Sequence, residues 1–369
     1  MTEKHKERVK KLQQALRDLG YDAFFASTPI TMEYLVGHRE GGGERMMLLG
    51  IAPDHEPAML IPALALVQAK ATTGIQDITT WMDGEDPGVK FAAWAERWGL
   101  RTGVIAVDDE MTSFFLLRMQ QALPAALFKP GTPVMEACRG RKDAEEIAFL
   151  QYAASAVDEA YEAGLAAIRV GATEMDVARA ISDATNAQGV ITSFGIVGAG
   201  PHGAMPHYHT GHKPLEPGDV IVMDFGGTYH GYFADITRTA CLGEASEEAK
   251  KVYRIVRDAH YAAREVAKPG VAAQEVDRAA RRVIADAGYG EYFVHRVGHG
   301  IGLQCHEPPY MVEGNETLLA EGHTFTVEPG IYLPDRFGVR LENVVVITSD
   351  GCRSLNAEPA PELLEIPTG

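Results

Sequence analysis

Four acidic side chains sit in stretches that otherwise read as interior β-strands, and an interior strand carries a lone carboxylate only at high cost. The segment GDVIVMDFGGTYHGYFADITRTACL places Asp224 and Asp235 in two strand-like runs joined by a Gly-rich turn. A hairpin would bring them onto neighbouring strands as a facing pair with Cβ atoms about 4.5–5.5 Å apart. Two anions at that distance repel unless a cation lies between them. HTFTVEPGIYL holds Glu328, and GVRLENVVVIT holds Arg340, Glu342 and Val344 at the period of two that puts all three on one face of a strand. The plainer alternatives are that Asp224 caps its turn while Asp235 faces solvent, and that Arg340 forms a salt bridge with one of the glutamates.

Residues 295–309 read HRVGHGIGLQCHEPP and add His295, His299 and His306. The glycines flanking His299 let ring and backbone come close to a site. Asp224, Asp235, His299, Glu328 and Glu342 together make four carboxylates and one imidazole. That oxygen-rich set suits a pair of divalent ions such as Mn, Co or Zn rather than a thiolate zinc site. Two dications offset four carboxylates, so such a cluster can be buried. The four cysteines are scattered and form no Cys-x-x-Cys pair; Cys305 reads as a small apolar filler. A second histidine group, GPHGAMPHYHTGHK, holds His202, His207, His209 and His212. His207 is the expected functional member, its approach fixed by Pro206, with the other three solvated.

Length and charge bound the rest. A chain of 369 residues suits two domains. The balance 34 − 51 = −17 argues against nucleic acid or an anionic membrane as partner. No apolar run approaches the roughly 18 residues of a membrane span, and the charged N-terminal stretch does not read as a signal peptide; a cytoplasmic protein is expected. Val9, Leu12, Leu16 and Leu19 form a helical stripe that Gly20 is placed to end. YDAFFAS, RMMLLGIA, PAMLIPA and GVIAVD read as strands, and DPGVKFAAWAERWGL and TSFFLLRMQQALPAA as helices, giving an α/β domain over residues 1–132. A long helix starting near Asp143 opens a second domain, 133–369. Within it GATEMDVARAI (171–181) and GVAAQEVDRAA (270–280) match weakly, which predicts a duplicated helix-helix-strand unit with a ligand cleft between its halves.

At this point the residues resemble a family. HRVGHGIGLQCHE is similar to the motif of proline-specific metallopeptidases, the prolidase and aminopeptidase P group, except at Cys305, where that family usually carries a β-branched aliphatic. MPH, the Asp-x10-Asp hairpin, VEPGIY and GVRLEN follow in the family's order, and TMEYLVGH and RGRKDAEEIAFL extend the likeness toward the N-terminus. The resemblance implies an α/β N-terminal domain plus an α+β C-terminal catalytic domain of the creatinase/aminopeptidase, or pita-bread, type. It implies that Asp224, Asp235, His299, Glu328 and Glu342 are ligands of two metal ions, with Asp235 and Glu342 shared between them. It further implies that His207 and His306 flank the metals as proton shuttles or transition-state stabilisers, and that His295 and Arg340 shape the pocket for proline or the substrate's carboxyl end. Glu328 is the candidate to accept a proton from an activated water.

The activity so implied is hydrolysis of the Xaa-Pro bond of short peptides by a homodimer, as an Xaa-Pro dipeptidase or, alternatively, an aminopeptidase P acting on Xaa-Pro-Yaa. One departure bears on that choice. Many dipeptide-specific members carry an arginine shortly after HEPP to hold the substrate carboxylate, whereas this chain has HEPPYMVEGNETLL, with Tyr310. Arg39 and Arg45, in GHREGGGERMM, are the other candidate cations, Arg45 reaching a neighbour's site in a dimer; the plain alternative is that both are solvated. Non-peptide hydrolases or lyases on the same fold are a less favoured reading, as is a binding module with an eroded metal site, since the ligand set is complete. Reading GHGIG as a phosphate loop lacks the strand and the acidic residue about 20 positions on.

Overall fold

In the computed structural model, which describes residues 1–368, the first 139 residues form one compact unit and Gly140 onward another. The four apolar runs read as strands join two strands not read from the sequence, Asp77–Trp81 and Leu127–Pro130, in a six-stranded mixed sheet. Its order is Asp77–Trp81, Ala58–Pro62, Leu48–Ile51, Ala23–Ala26, Val104–Val107, Leu127–Pro130. Helix Glu3–Leu19 closes with Gly20 in the left-handed conformation, φ 71°. Its stripe is buried at Val9, Leu12 and Leu16, while Leu19 remains 45% exposed. Helix Pro87–Arg97, capped by Asp86, sets Phe91 and Trp94 edge-on to Phe25 at 5.2 and 5.1 Å. Gly50 passes beneath them, where a Cβ would lie 2.4 Å from the Trp94 ring. Helix Thr132–Arg139 packs on Glu3–Leu19 and so stays with the first unit, although the expected boundary fell at its start.

The second unit holds a four-stranded and a five-stranded sheet, each covered by a pair of helices. Ala144–Ala167, begun by an Asp143 capping box, and Glu174–Ala187 bury Val157, Ala160, Val177 and Ile181 against Met223, Phe225 and Ile236. Glu247–Val266 and Ala273–Asp286 bury Val252, Val256, Val276 and Ala280 with Phe325, Val327, Val345 and Ile347. Each fully buried aliphatic or aromatic side chain contributes about 1.5–3 kcal/mol. Among the described residues no helix is long and apolar enough to cross a membrane.

The duplication read from the sequence has a geometric counterpart. Gly171 and Gly270 both take positive φ, 81° and 84°. The Gly171 amide donates to Leu215 and Leu215 returns a bond to Ala172; Gly270 donates to Leu319 and Leu319 returns one to Val271. Each helix pair is thus pinned, by the same pattern, to the segment that returns toward the sheet of its own half.

Candidate active site

Strands Val220–Tyr229 and Tyr232–Leu242 turn through His230 and Gly231, both at positive φ, as a two-residue hairpin requires. That turn pairs Asp224 with Thr237 and Gly226 with Asp235. The two aspartates are therefore diagonal neighbours and not the facing pair expected. Directly paired residues share a sheet face, so Asp224, Asp235 and Thr237 all project from the face opposite Met223, Phe225 and Ile236. The carboxylates close the diagonal themselves: ligand oxygens of Asp224, Asp235 and Glu342 lie within 4.8 Å of one another. Gly226 leaves the room for this, since a Cβ there would stand 2.7 Å from the Phe194 ring.

The glutamates arrive differently from the prediction. Phe337–Arg340 pairs with Gly330–Leu333, and Asn343–Ile347 pairs with Thr324–Val327, so no single strand runs from Arg340 to Val344. The hand-over falls at Leu341–Glu342, where the Glu342 amide donates to Thr237 O at 3.0 Å. Glu328 lies just past the end of Thr324–Val327 rather than inside it. Its amide donates to Val297 O at 2.7 Å and it accepts from the Thr326 hydroxyl at 3.2 Å. Thr237 Oγ1 donates to Glu342 Oε2 at 2.6 Å.

His299 supplies the imidazole from the buried strand Gly298–Gly300. Its Nδ1–H donates to Gly300 O at 3.1 Å. That fixes the tautomer and leaves the Nε2 lone pair 3.7 Å from Asp235 Oδ2 and 3.4 Å from Glu328 Oε1. Burial, then the neighbouring His306, hold its pKa down to about 3, so the ring is neutral. His299, Glu328 and Glu342 form a second group within ligand reach, and Asp235, His299 and His306 a third.

The donor set fits divalent cations. Glu342 Oε1 is buried with no hydrogen-bond partner, and burial together with the neighbouring carboxylates pushes Asp235 and Glu342 well above the usual carboxylate range. Burial pushes Glu328 up to about 7. Buried acids in mutual repulsion around one neutral imidazole form an electrostatically incomplete arrangement that a cation completes.

Arg340 is engaged on the cluster's flank. Its Nε donates to Thr237 Oγ1 at 3.0 Å, one terminal nitrogen to Tyr332 Oη at 2.8 Å and the other to Asp224 Oδ2. The salt bridge therefore runs to an aspartate and not to a glutamate. The Tyr332 hydroxyl lies 2.8 Å from His295 Nε2, and His295 Nδ1 lies 2.7 Å from Arg296 O. With Tyr332 donating to Nε2, the relay runs Asp224, Arg340, Tyr332, His295. Burial, then Arg340, lower His295 to about 4. Thr237 and Tyr332 were not singled out from sequence, although Thr237 lies two residues beyond Asp235 and Tyr332 closes the VEPGIY motif.

His306 is exposed, its ring centroid 3.9 Å from that of His299. His207 is exposed beside Pro206. Its loop is tied down by Glu174, a fully buried carboxylate that sequence reasoning missed. Glu174 accepts from the amides of Ala199 and Gly211, from Tyr208 Oη and from His202 Nδ1. His202 is therefore structural rather than solvated; His209 and His212 are exposed as expected. Cys305 is no apolar filler either, since its Sγ lies 3.4 Å from Asp235 Oδ2. All these side chains except Glu174, His202, Tyr208, His209 and His212 surround or directly support one cavity of about 830 Å³, whose apolar wall includes Phe194, Ile196 and Val312. In the first unit, Arg45 is held by Asp83 through Nε and a terminal nitrogen, both at 3.0 Å, and by Glu44 at 2.7 Å; Arg39 pairs with Glu33 at 2.5 Å.

Comparison with known proteins agrees with this geometry. Residues 148–349 match the family described as metallopeptidase family M24, and residues 8–140 match the creatinase/prolidase N-terminal domain. An Xaa-Pro dipeptidase of Lactobacillus helveticus is 38% identical over 349 residues, 93% of this chain and 95% of its own length. The crystal structure of dipeptidase PepE from Mycobacterium ulcerans superposes with a TM-score of 0.95 at 38% identity, covering 99% of both chains. That of a prolidase from Thermococcus sibiricus does so with a TM-score of 0.90 at 33% identity, covering 98% of this chain and 99% of that one. With its acidic cluster, its helix-flanked duplicated halves and these matches along nearly its whole length, the chain belongs to metallopeptidase family M24 and carries a creatinase/prolidase N-terminal domain.

Proposed function

We propose that the protein hydrolyses the Xaa-Pro bond of dipeptides. The observation that carries the reading is the convergence of Asp224, Asp235, His299, Glu328 and Glu342 at one wall of a cavity whose other wall is apolar. These five residues would hold two divalent ions, Mn, Co or Zn. Among the carboxylates only Asp235 and Glu342 belong to two of the three ligand groups, which supports their bridging role. When bound, such ions supply Lewis acidity and a water nucleophile ionised near neutral pH.

The chain's own residues do the rest. Glu328, at the edge of the cluster with the Thr326 hydroxyl on one oxygen, is the residue that takes a proton from water and returns it to the leaving imino nitrogen. His207 and His306, at the open side of the cavity, donate to the oxygen on which charge develops, a contribution of about 3 kcal/mol. His295 and Arg340 have their nitrogens occupied by Tyr332, Arg296 O, Thr237 and Asp224, so they frame the proline site by shape. Proline's imino nitrogen offers no N–H in a peptide bond, and nothing in this set requires one.

The missing arginine after HEPP favours a second reading, cleavage of longer Xaa-Pro-Yaa peptides. Metal-depleted protein reloaded with Mn, Co or Zn and given both substrates separates the two. We expect release of the first residue from Xaa-Pro with kcat/KM at least about ten-fold above the tripeptide, a gap of ~1.4 kcal/mol. Preferential tripeptide cleavage would favour the aminopeptidase reading, and cleavage of neither would remove both. The same proposal includes a cytoplasmic homodimer in which Arg45 of one copy holds the substrate carboxylate in its neighbour. Arg45→Ala should then raise the dipeptide KM about ten-fold; an unchanged KM removes that contact.

A further inference from the structure

Two motif residues remain outside the chemistry described so far: Lys142 in RGRKDAEEIAFL and Glu307 in HEPP. They lie 165 positions apart and form a buried ion pair, Nζ to Oε1 at 2.5 Å, each side chain 2% exposed. We infer that this pair is a positioning device for His306, an assignment that rests on the function proposed above.

Glu307 pairs with Gly300 where the antiparallel strands Gly298–Gly300 and Glu307–Met311 meet. The six residues between them, Ile301 to His306, carry Cys305 and His306 over the acidic cluster. Glu307 turns its carboxylate back beneath this loop. Oε2 accepts from the Gln304 amide at 3.3 Å, while Oε1 takes the lysine. Lys142 is itself fixed at both ends: its amide donates to Gly322 O at 2.8 Å and its ammonium donates to Gly140 O at 3.3 Å. The loop closes tightly over the pair, because a Cβ on Gly302 would stand 2.6 Å from Glu307 Oε1 and 2.8 Å from Lys142 Cε. His306, by contrast, is exposed, with its ring set against that of His299. Its place above the cluster is therefore inherited from the loop, and the loop's from the ion pair.

Stability gives a weak reason to keep such a pair, since apolar replacements of buried ion pairs are often neutral or better. Placement gives a stronger one. An oxyanion donor that drifts by an ångström loses much of its effect. Lys142 and Glu307 touch no reacting atom, so their influence must pass through His306.

The test uses the full-length, metal-loaded protein with Lys142→Met and Glu307→Gln combined, which removes both charges together. Hydrogen exchange of residues 301–306 should accelerate by at least about ten-fold while strand Thr324–Val327 is unchanged. The kcat on Xaa-Pro should fall roughly 10–100-fold, with KM altered less than about two-fold. Adding His306→Ala to that background should cost under about two-fold more, although alone it costs much more. Gly302→Ala pushes on the pair from the loop side without removing a charge; it should reproduce the same non-additivity and serves if the double variant does not fold. Unchanged loop exchange, or a His306→Ala loss that multiplies fully in the altered background, overturns the assignment. Should the unaltered protein cleave no Xaa-Pro peptide, the proposed function fails, while the exchange measurement still decides whether the pair holds the loop.

Discussion

Glu342→Gln is expected to lower turnover by about 10³-fold or more, ~4 kcal/mol of transition-state stabilisation, while making the metal-free protein more heat-stable at pH 8. The two effects have one cause. Glu342 is buried, one oxygen engaged by Thr237 and the other unpartnered. Burial, then Asp235 and Glu328, press its carboxyl toward the protonated form. With cations absent, keeping this carboxyl buried at pH 8 costs stability, whether as a charge or as a proton taken up on folding, and glutamine removes that cost without changing volume. With cations present, the same charge is the contact that would bridge them. Calorimetry of the stripped variant and kcat of the reloaded one measure the two arms. A variant that loses stability and activity in parallel would mark Glu342 as an ordinary structural carboxylate.

The second large effect is a reversal of pH dependence on metal loading. Asp235, Glu342 and Glu328 have raised pKa values in the folded, metal-free chain. The folded state therefore keeps protons that the unfolded state releases near the ordinary carboxylate value, and stability falls as pH rises through that interval. His295 and His299, lowered to about 4 and 3 by burial, act with the opposite sign. Their contribution is present above about pH 6.5, the unfolded value, and is lost as pH drops toward their folded values. Above about pH 6.5 the histidine contribution is complete and only the carboxyl loss continues, so the metal-free protein should lose several degrees of Tm between pH 6.5 and pH 8. Each pH unit over which one such carboxyl stays protonated corresponds to ~1.4 kcal/mol. Metal binding must displace those protons, so the Tm gain on adding Mn or Zn should grow from pH 6 to pH 8. A gain independent of pH would mean that the ions bind elsewhere.

What could be read from the chain divides along physical lines. The acids at Asp224, Asp235, Glu328 and Glu342 and the glycine-flanked His299 were visible because interior strands rarely tolerate such residues without a partner. Local start and stop chemistry was visible too, in the Asp143 cap and in Gly20. The diagonal placement of the aspartates was not, because it depends on which two residues of the stretch GGTYHG make the turn, and register follows from that alone. Nor was the strand break at Leu341–Glu342, since every residue around it has strand propensity and the break is set by competing partners, Gly330–Leu333 on one side and Thr324–Val327 on the other. Glu174, Tyr332 and the Lys142–Glu307 pair act through contacts distant in sequence, between 25 and 165 positions for Glu174 and the ion pair, where periodicity carries no signal. Cys305 was misread because a thiol in an alternating stretch looks apolar until its neighbour is known to be Asp235.

The claim on which the rest depends is that five residues spread over more than a hundred positions trap two dications. Anomalous diffraction from crystals of the manganese- or cobalt-loaded protein tests it most directly. Two peaks about 3.5–4 Å apart are expected among Asp224, Asp235, His299, Glu328 and Glu342, with the carboxylates of Asp235 and Glu342 between them. Active crystals with no anomalous density among these five side chains would contradict the account.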